Sequence, residues 1–155
     1  MSQQNRQPQA TTSARQVAVI AVRRGHDGFD VCLIRRKESA RWAIPKGFID
    51  RGTTSEQAAL TEAFEEAGVK GRLIGDVIGT YDYKKRSAPL TVAVYLMEVL
   101  EEHEHWRESR FRDRSWRSLE EVGVLLANHP VLTLWDQARE RLTLWASETG
   151  GHGGS

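Results

Sequence analysis

The stretch PKGFIDRGTTSEQAALTEAFEEAGV, Pro45–Val69, puts Glu62, Glu65 and Glu66 into the last two turns of one helix. Thr54 with Gln57 three residues on has the capping-box pattern, and Gly68 supplies the stop, so the helix spans about 13 residues. Carboxylates near a helix C-terminus face the negative end of its dipole, at about 0.3–1 kcal/mol each, and like charges at i,i+4 repel as well. A cation is needed to compensate. At about 100° per residue, Leu60, Ala63, Phe64 and Ala67 make an apolar stripe expected to face the core, while the glutamates share an arc of about 100° opposite. A solvated helix face is the plain explanation, but such a face usually mixes signs, and no lysine or arginine stands at i±4 here. Two upstream glycines, Gly47 and Gly52, let backbone carbonyls approach. Hard oxygen ligands of this kind suit Mg²⁺ or Mn²⁺, ions that also coordinate substrate phosphates. The stretch reads as a metal cradle for phosphates.

Working outward, Gln16–Val22 and Phe29–Arg35 are β-branched, apolar runs joined by Gly25-His26-Asp27-Gly28, a hairpin pattern. A short strand is expected before Pro45. The runs Leu73–Tyr83 and Leu90–Leu100 predict a second strand pair around the basic loop Lys84-Lys85-Arg86. Glu101–Arg112 is dense in charge and reads as exposed. A short strand near Ser115–Arg117, a helix from Ser118 and another from Pro130 to Ala146 complete an α/β pattern. Residues 16–148 are expected to form one domain, between a disordered N-terminal segment (1–15) and a flexible glycine-rich tail (149–155).

Of the 155 residues, 28% are charged and 39% hydrophobic, a soluble globular balance. A net charge of +1 excludes polyanion binding by the whole field and leaves it to local patches. The single cysteine, Cys32, lies in an apolar run, which suits a buried thiol in a reducing cytoplasm. With no apolar run of about 18 residues and a polar start, a membrane-free, cytoplasmic protein is expected, as monomer or homodimer.

From Gly47 to Val69 the chain resembles the Nudix box: Gly, five residues, Glu, seven residues, Arg-Glu-apolar-any-Glu-Glu-any-Gly-apolar. The frame holds, with Thr53 in place of its first Glu and Thr61 in place of its Arg. The resemblance implies a Nudix-type α/β/α sandwich with a mixed sheet, hydrolysing a nucleoside diphosphate linked to another group. It also implies Glu62, Glu65 and Glu66 as metal ligands near the Gly47 carbonyl. Losing one member of the Glu/Arg pair would strand a charge; losing both leaves two hydroxyls able to satisfy each other. Within the trio, Glu66 is taken to orient or deprotonate the attacking water, with Glu65 beside it in the catalytic set and Glu62 on the metal. Glu98 is an alternative base.

Further segments, EEAGVKGRLIG, Trp106, Arg112–Trp116, Leu119-Glu120 and Asn128–Val131, are similar to the diphosphoinositol polyphosphate phosphohydrolase branch. That similarity draws Arg114 and His129 into the expected substrate set, beside Arg24, Arg35, Arg36, Lys46 and Lys84. The favoured substrate is therefore a small, dense polyphosphate. Pro45-Lys46-Gly47 is closer to dinucleoside polyphosphate hydrolases. An RNA 5′ end would need stacking aromatics, for which Trp42, Tyr81 and Tyr83 are candidates. A non-catalytic phosphate-binding module is the remaining alternative, motivated by Thr53 and Thr61.

Overall fold

The structure, a computed structural model, describes residues 14–153, with side chains through Thr149. The expected disordered segment lies outside the described residues except for Ala14 and Arg15, and so do positions 154–155 of the tail.

Seven strands form one mixed sheet: β1 (Gln16–Gly25), β2 (Gly28–Arg36), β3 (Lys46–Phe48), β4 (Val69–Leu73), β5 (Gly79–Lys85), β6 (Ala88–Glu102) and β7 (Arg112–Ser118). The path is β4-β6-β1-β2-β7, with β3 paired to β1 and β5 to β6. Among the described residues only β1 and β6 run parallel. Helix α1 (Ser55–Ala67) covers one face. Helix α2 (Leu119–Leu125), a 3₁₀ turn (Pro130–Leu134) and helix α3 (Trp135–Gly153) lie toward the other. Alternation along β1 feeds both layers: Val17, Val19 and Ala21 pack with the alanines of α1, while Ala18, Ile20 and Val22 pack with Val122, Leu134 and Leu142. This is the expected α/β/α sandwich.

The predicted hairpin forms, closing at Gly25 opposite Gly28. The basic loop between β5 and β6 is tighter than expected. Arg86 and Ser87, at φ of 54° and 70°, make the two-residue turn whose twist matches the flanking strands. The expected run Leu73–Tyr83 is two strands, since Leu73 ends β4 and β5 begins only at Gly79. The expected single helix from Pro130 opens as a 3₁₀ turn, with His129 Nδ1 capping the Val131 N–H at 3.0 Å.

One irregularity makes room for the site. The β1–β2 ladder runs from the hairpin back to Val22 and Val31. Beyond it the segment 43–48 enters: Ala43 exchanges backbone bonds with Ile34, Pro45 O accepts from Val19 N at 3.0 Å, and β3 pairs with Gln16–Ala18. Gly47 lies opposite Val17, on the α1 face, and Lys46 opposite Ala18, on the α2 face.

Candidate active site

Helix α1 begins as its sequence predicts, with Thr54 and Gln57 forming both halves of the capping box and Gly68 left-handed at φ 70°. Its rotation differs from the expectation. The buried residues are Ala58, Ala59, Ala63 and Ala67, while Leu60 is 36% exposed. Four alanines let the helix lie close against the sheet, and close approach outweighs the burial that Leu60 would have gained. Glu62 and Glu66 therefore fall within the arc of the buried alanines, not opposite it.

The Glu62 carboxylate rests against Gly47, where an added Cβ would overlap it. Glu66 Oε1 accepts the Lys46 backbone N–H at 3.0 Å. Burial, then the charges of Glu66, Glu65 and Glu108, pushes the Glu62 carboxyl up to about 8, and a protonated Glu62 hydrogen-bonds Glu66. Glu66 is also raised, mainly by burial, against the lowering pull of the Lys46 N–H and Arg112. Glu62 has no cationic partner among the described residues. Half-buried, adjacent carboxylates sharing a proton where a cation could replace it form a hard-oxygen donor set that fits a divalent metal. Glu65 stands apart, paired with Arg107 at 2.9 Å. Among the described residues no three His, Cys, Asp or Glu side chains converge into a ready metal cage.

The segment 101–112, expected to be simply exposed, closes the end of α1. His103 N donates to Gly68 O at 2.8 Å, and Glu108 N to Glu65 O at 3.2 Å. Trp106 Nε1 donates to Glu66 O at 2.9 Å, and Arg114 Nη1 to Ala67 O at 2.7 Å and His103 O at 2.9 Å. Four terminal carbonyls, normally orphaned, thus find donors in one downstream stretch. Arg107 and Arg112 add charge beside Glu65 and Glu66, with Arg112 Nη2 3.8 Å from Glu66. The compensation sought at this helix end is largely arginine. Only Glu62 is left without it.

The two threonines do not satisfy each other. Thr53 Oγ1 donates to Asp50 O at 2.6 Å, and Thr61 lines a groove on the outer side of α1 with Leu60, Phe64 and Lys70.

The basic residues divide. Lys46 Nζ donates to Tyr83 Oη at 3.0 Å, and Tyr83 donates to Gln16 at 2.7 Å. His129 is held below its usual value by burial and by Lys46, and it meets the Tyr81 ring edge-on at 5.8 Å. A cavity of about 440 Å³ opens there, lined by Arg41, Trp42, Asn128 and His129 among others. Arg35 pairs with Asp113 at 3.3 Å and lies 4.4 Å over Trp42. Arg36 stacks on Phe111, and Lys84 is exposed. Arg24 is at the hairpin end, over Phe29 and Trp145, roughly 20 Å along β1 from Ala18, which stands opposite Lys46. Arg114 holds the end of α1 and pairs with Glu102. Glu98 pairs with Arg72 at 3.0 Å. Sequence reading missed Arg107, Glu108 and Arg41. For the first two, the signal available was Trp106, an aromatic residue in an otherwise charged segment.

The NUDIX domain profile matches residues 13–142. Diphosphoinositol polyphosphate phosphohydrolase 3-alpha of Mus musculus is 33% identical over 115 residues, covering 72% of this chain and 67% of that protein. Nudix hydrolase 4 of Arabidopsis thaliana is 33% identical over 100 residues, 63% of this chain and 48% of its own length. The chain thus spans about half of that plant relative. In fold it is similar to the crystal structure of C. elegans Ap4A hydrolase, with a TM-score of 0.68 at 20% identity, covering 83% of this chain and 98% of that one.

Proposed function

The chain belongs to the Nudix family, and from that premise we propose that it is a metal-dependent hydrolase of a pyrophosphate link in a polyphosphorylated small molecule. The observation that carries this reading is the Glu62–Glu66 pair, half-buried against Gly47 and short of positive charge. Nudix hydrolases generally use divalent metals. Glu62 and Glu66, with the Gly47 backbone beside them, are the residues that would hold Mg²⁺ or Mn²⁺; Glu65 would join by leaving Arg107. Bound there, the metal would supply charge neutralisation and a more acidic water. With Glu62 on the metal, Glu66 is the carboxylate that would accept the proton of the water, its own orientation set by the Lys46 N–H and Arg112.

A diphosphoinositol polyphosphate or a similarly dense polyphosphate is the favoured substrate. Supporting it are Lys46 beside His129 and the cavity bounded by Arg41, Asn128 and His129. The Trp42 ring already carries Arg35 at 4.4 Å and Arg117 at 5.5 Å, which leaves less of it for stacking a nucleobase. A cytoplasmic location is part of the proposal. Cys32 is buried, with its thiol pushed up to about 12 chiefly by burial, and among the described residues no helix is long and apolar enough to cross a membrane.

The deciding experiment offers inositol pyrophosphates, diadenosine polyphosphates and RNA 5′-triphosphate to the parent and to Glu62→Gln, with Mg²⁺ and with chelator. Mg²⁺-dependent turnover, fastest on the inositol pyrophosphate and lost in Glu62→Gln, is expected. A preference for the diadenosine compounds would move the substrate. No turnover of any would leave a binding module.

A further inference from the structure

Arg112 does something at the end of α1 that the other arginines do not. Its Nε donates to Glu108, and its Nη2 lies 3.8 Å from Glu66 Oε2, while Glu66 Oε1 is taken by the Lys46 N–H. The Glu66 carboxylate is thus faced on one oxygen by the backbone of β3 and on the other by a guanidinium from β7. Both side chains are well covered, at 13% exposure for Glu66 and 18% for Arg112, so water screens the contact little. The neighbouring Arg107–Glu65 pair is a surface contact by comparison, with Arg107 70% exposed.

The placement of Arg112 does not depend on the helix. It sits in β7 opposite Arg36 of β2, so the sheet fixes its backbone, and Glu108 fixes the plane of its fork. Helix α1 has no lysine or arginine of its own, and Thr61 faces the outer groove. Among the described residues, the cationic side chain paired with Glu66 is Arg112, which comes from β7 and not from the helix.

We propose that Arg112, oriented by Glu108, is a positioning residue that fixes the Glu66 carboxylate for proton transfer from the attacking water. This rests on the hydrolase reading above. Arg112 acts through Glu66 and not on the substrate, so its loss lowers turnover and leaves substrate binding nearly intact.

The test uses Arg112→Met, Arg112→Lys and Glu108→Gln, with Arg107→Met as control, at saturating Mg²⁺ on the best pyrophosphate substrate. Arg112→Met is expected to cut kcat about 10–100-fold, the usual loss for a group that orients a site carboxylate, with KM within about threefold. Arg112→Lys should recover part of it, Glu108→Gln should lose less, and Arg107→Met should stay within about twofold of the parent. Should Arg112→Met fail to fold, Arg112→Lys and Glu108→Gln carry the same split of kcat from KM. A second measurement needs no turnover: equilibrium unfolding, in chelator, of Arg112→Met, Glu66→Gln and the double variant. Their unfolding constants should depart at least about threefold from the product rule. Full kcat in Arg112→Met of an active parent, or strict additivity in the cycle, would overturn the assignment. If the parent hydrolyses no pyrophosphate, the hydrolase reading fails by itself, and the cycle alone decides whether Arg112 holds Glu66.

Discussion

The Glu62 carboxylate occupies the space that a side chain on Gly47 would need. Gly47 is not in the left-handed region, so the glycine serves proximity and not a turn. Gly47→Ala should push Glu62 out of the site, lowering kcat about 10–100-fold and weakening the rise in melting temperature that Mn²⁺ produces. Gly52→Ala is the contrasting change. Gly52 has φ of 88° with open space around it, so strain should lower stability while the response to Mn²⁺ survives. Equal metal responses in the two variants would show that Gly47 does not shape the site.

Stability without metal should depend on pH through Glu62. Burial and the neighbouring carboxylates raise its value from 4.5 to about 8, so the folded chain binds this proton more tightly than the unfolded one. That contribution is complete below about pH 4.5 and is lost as pH rises through about 8. In chelator, the parent should lose stability relative to Glu62→Gln across this window. At pH 8, a hundredfold excess of Mg²⁺ over its Kd should return about 2.7 kcal/mol to the parent. Parallel melting curves for parent and Glu62→Gln from pH 5 to 9 would contradict the burial argument.

Lys46 and Arg24 separate site cations from surface cations. Lys46→Met removes a charge beside Tyr83 and His129, and should raise KM for a dense polyphosphate about tenfold or more, with kcat changed less. Arg24, stacked over Phe29 and Trp145 at the hairpin end, should be silent in KM. The parent's KM should also climb steeply with salt, as exposed charges are screened over about 8 Å at physiological ionic strength. An unchanged KM in Lys46→Met would remove the main support for a polyphosphate on that side of β3.

Arg114→Met should act on stability. Its guanidinium serves the carbonyls of Ala67 and His103 and pairs with Glu102 at 3.2 Å, so roughly 1.5–3 kcal/mol should be lost, read by urea unfolding. KM of the folded fraction should not move. A specific rise in KM would return Arg114 to the substrate set.

The sequence marks the ends of α1 better than its orientation. Thr54, Gln57 and Gly68 are local signals, each satisfied within a few residues, and the structure carries them unchanged. The orientation depends on how closely the helix approaches β1 and β3. A wheel centred on Leu60 and Phe64 counts side-chain size as burial, whereas here small alanines win the contact. Charge misleads in the same way over 101–112. Sequence shows the sign of Arg107 and Arg112 but not their partners on the helix, Glu65 and Glu66, the first of them 42 residues upstream. The nearness of Gly47 to the glutamates was legible through the family resemblance; the approach of Arg112 to Glu66 was not, because it depends on the register of β7.

The capping of α1 from so far downstream has a consequence for the order in which the chain is made. Trp106 lies 40 residues after Glu66. At about 5–20 residues per second, the glutamate-rich helix end leaves the ribosome some 2–8 s before its donors do. During that interval its last carbonyls and carboxylates face only water. A nascent chain arrested before Trp106 should therefore show fast amide exchange in the last turn of α1, and protection there should appear only once β7 has emerged and paired with β2. Until that late step Glu65 and Glu66 also lack the arginines that face them in the finished fold.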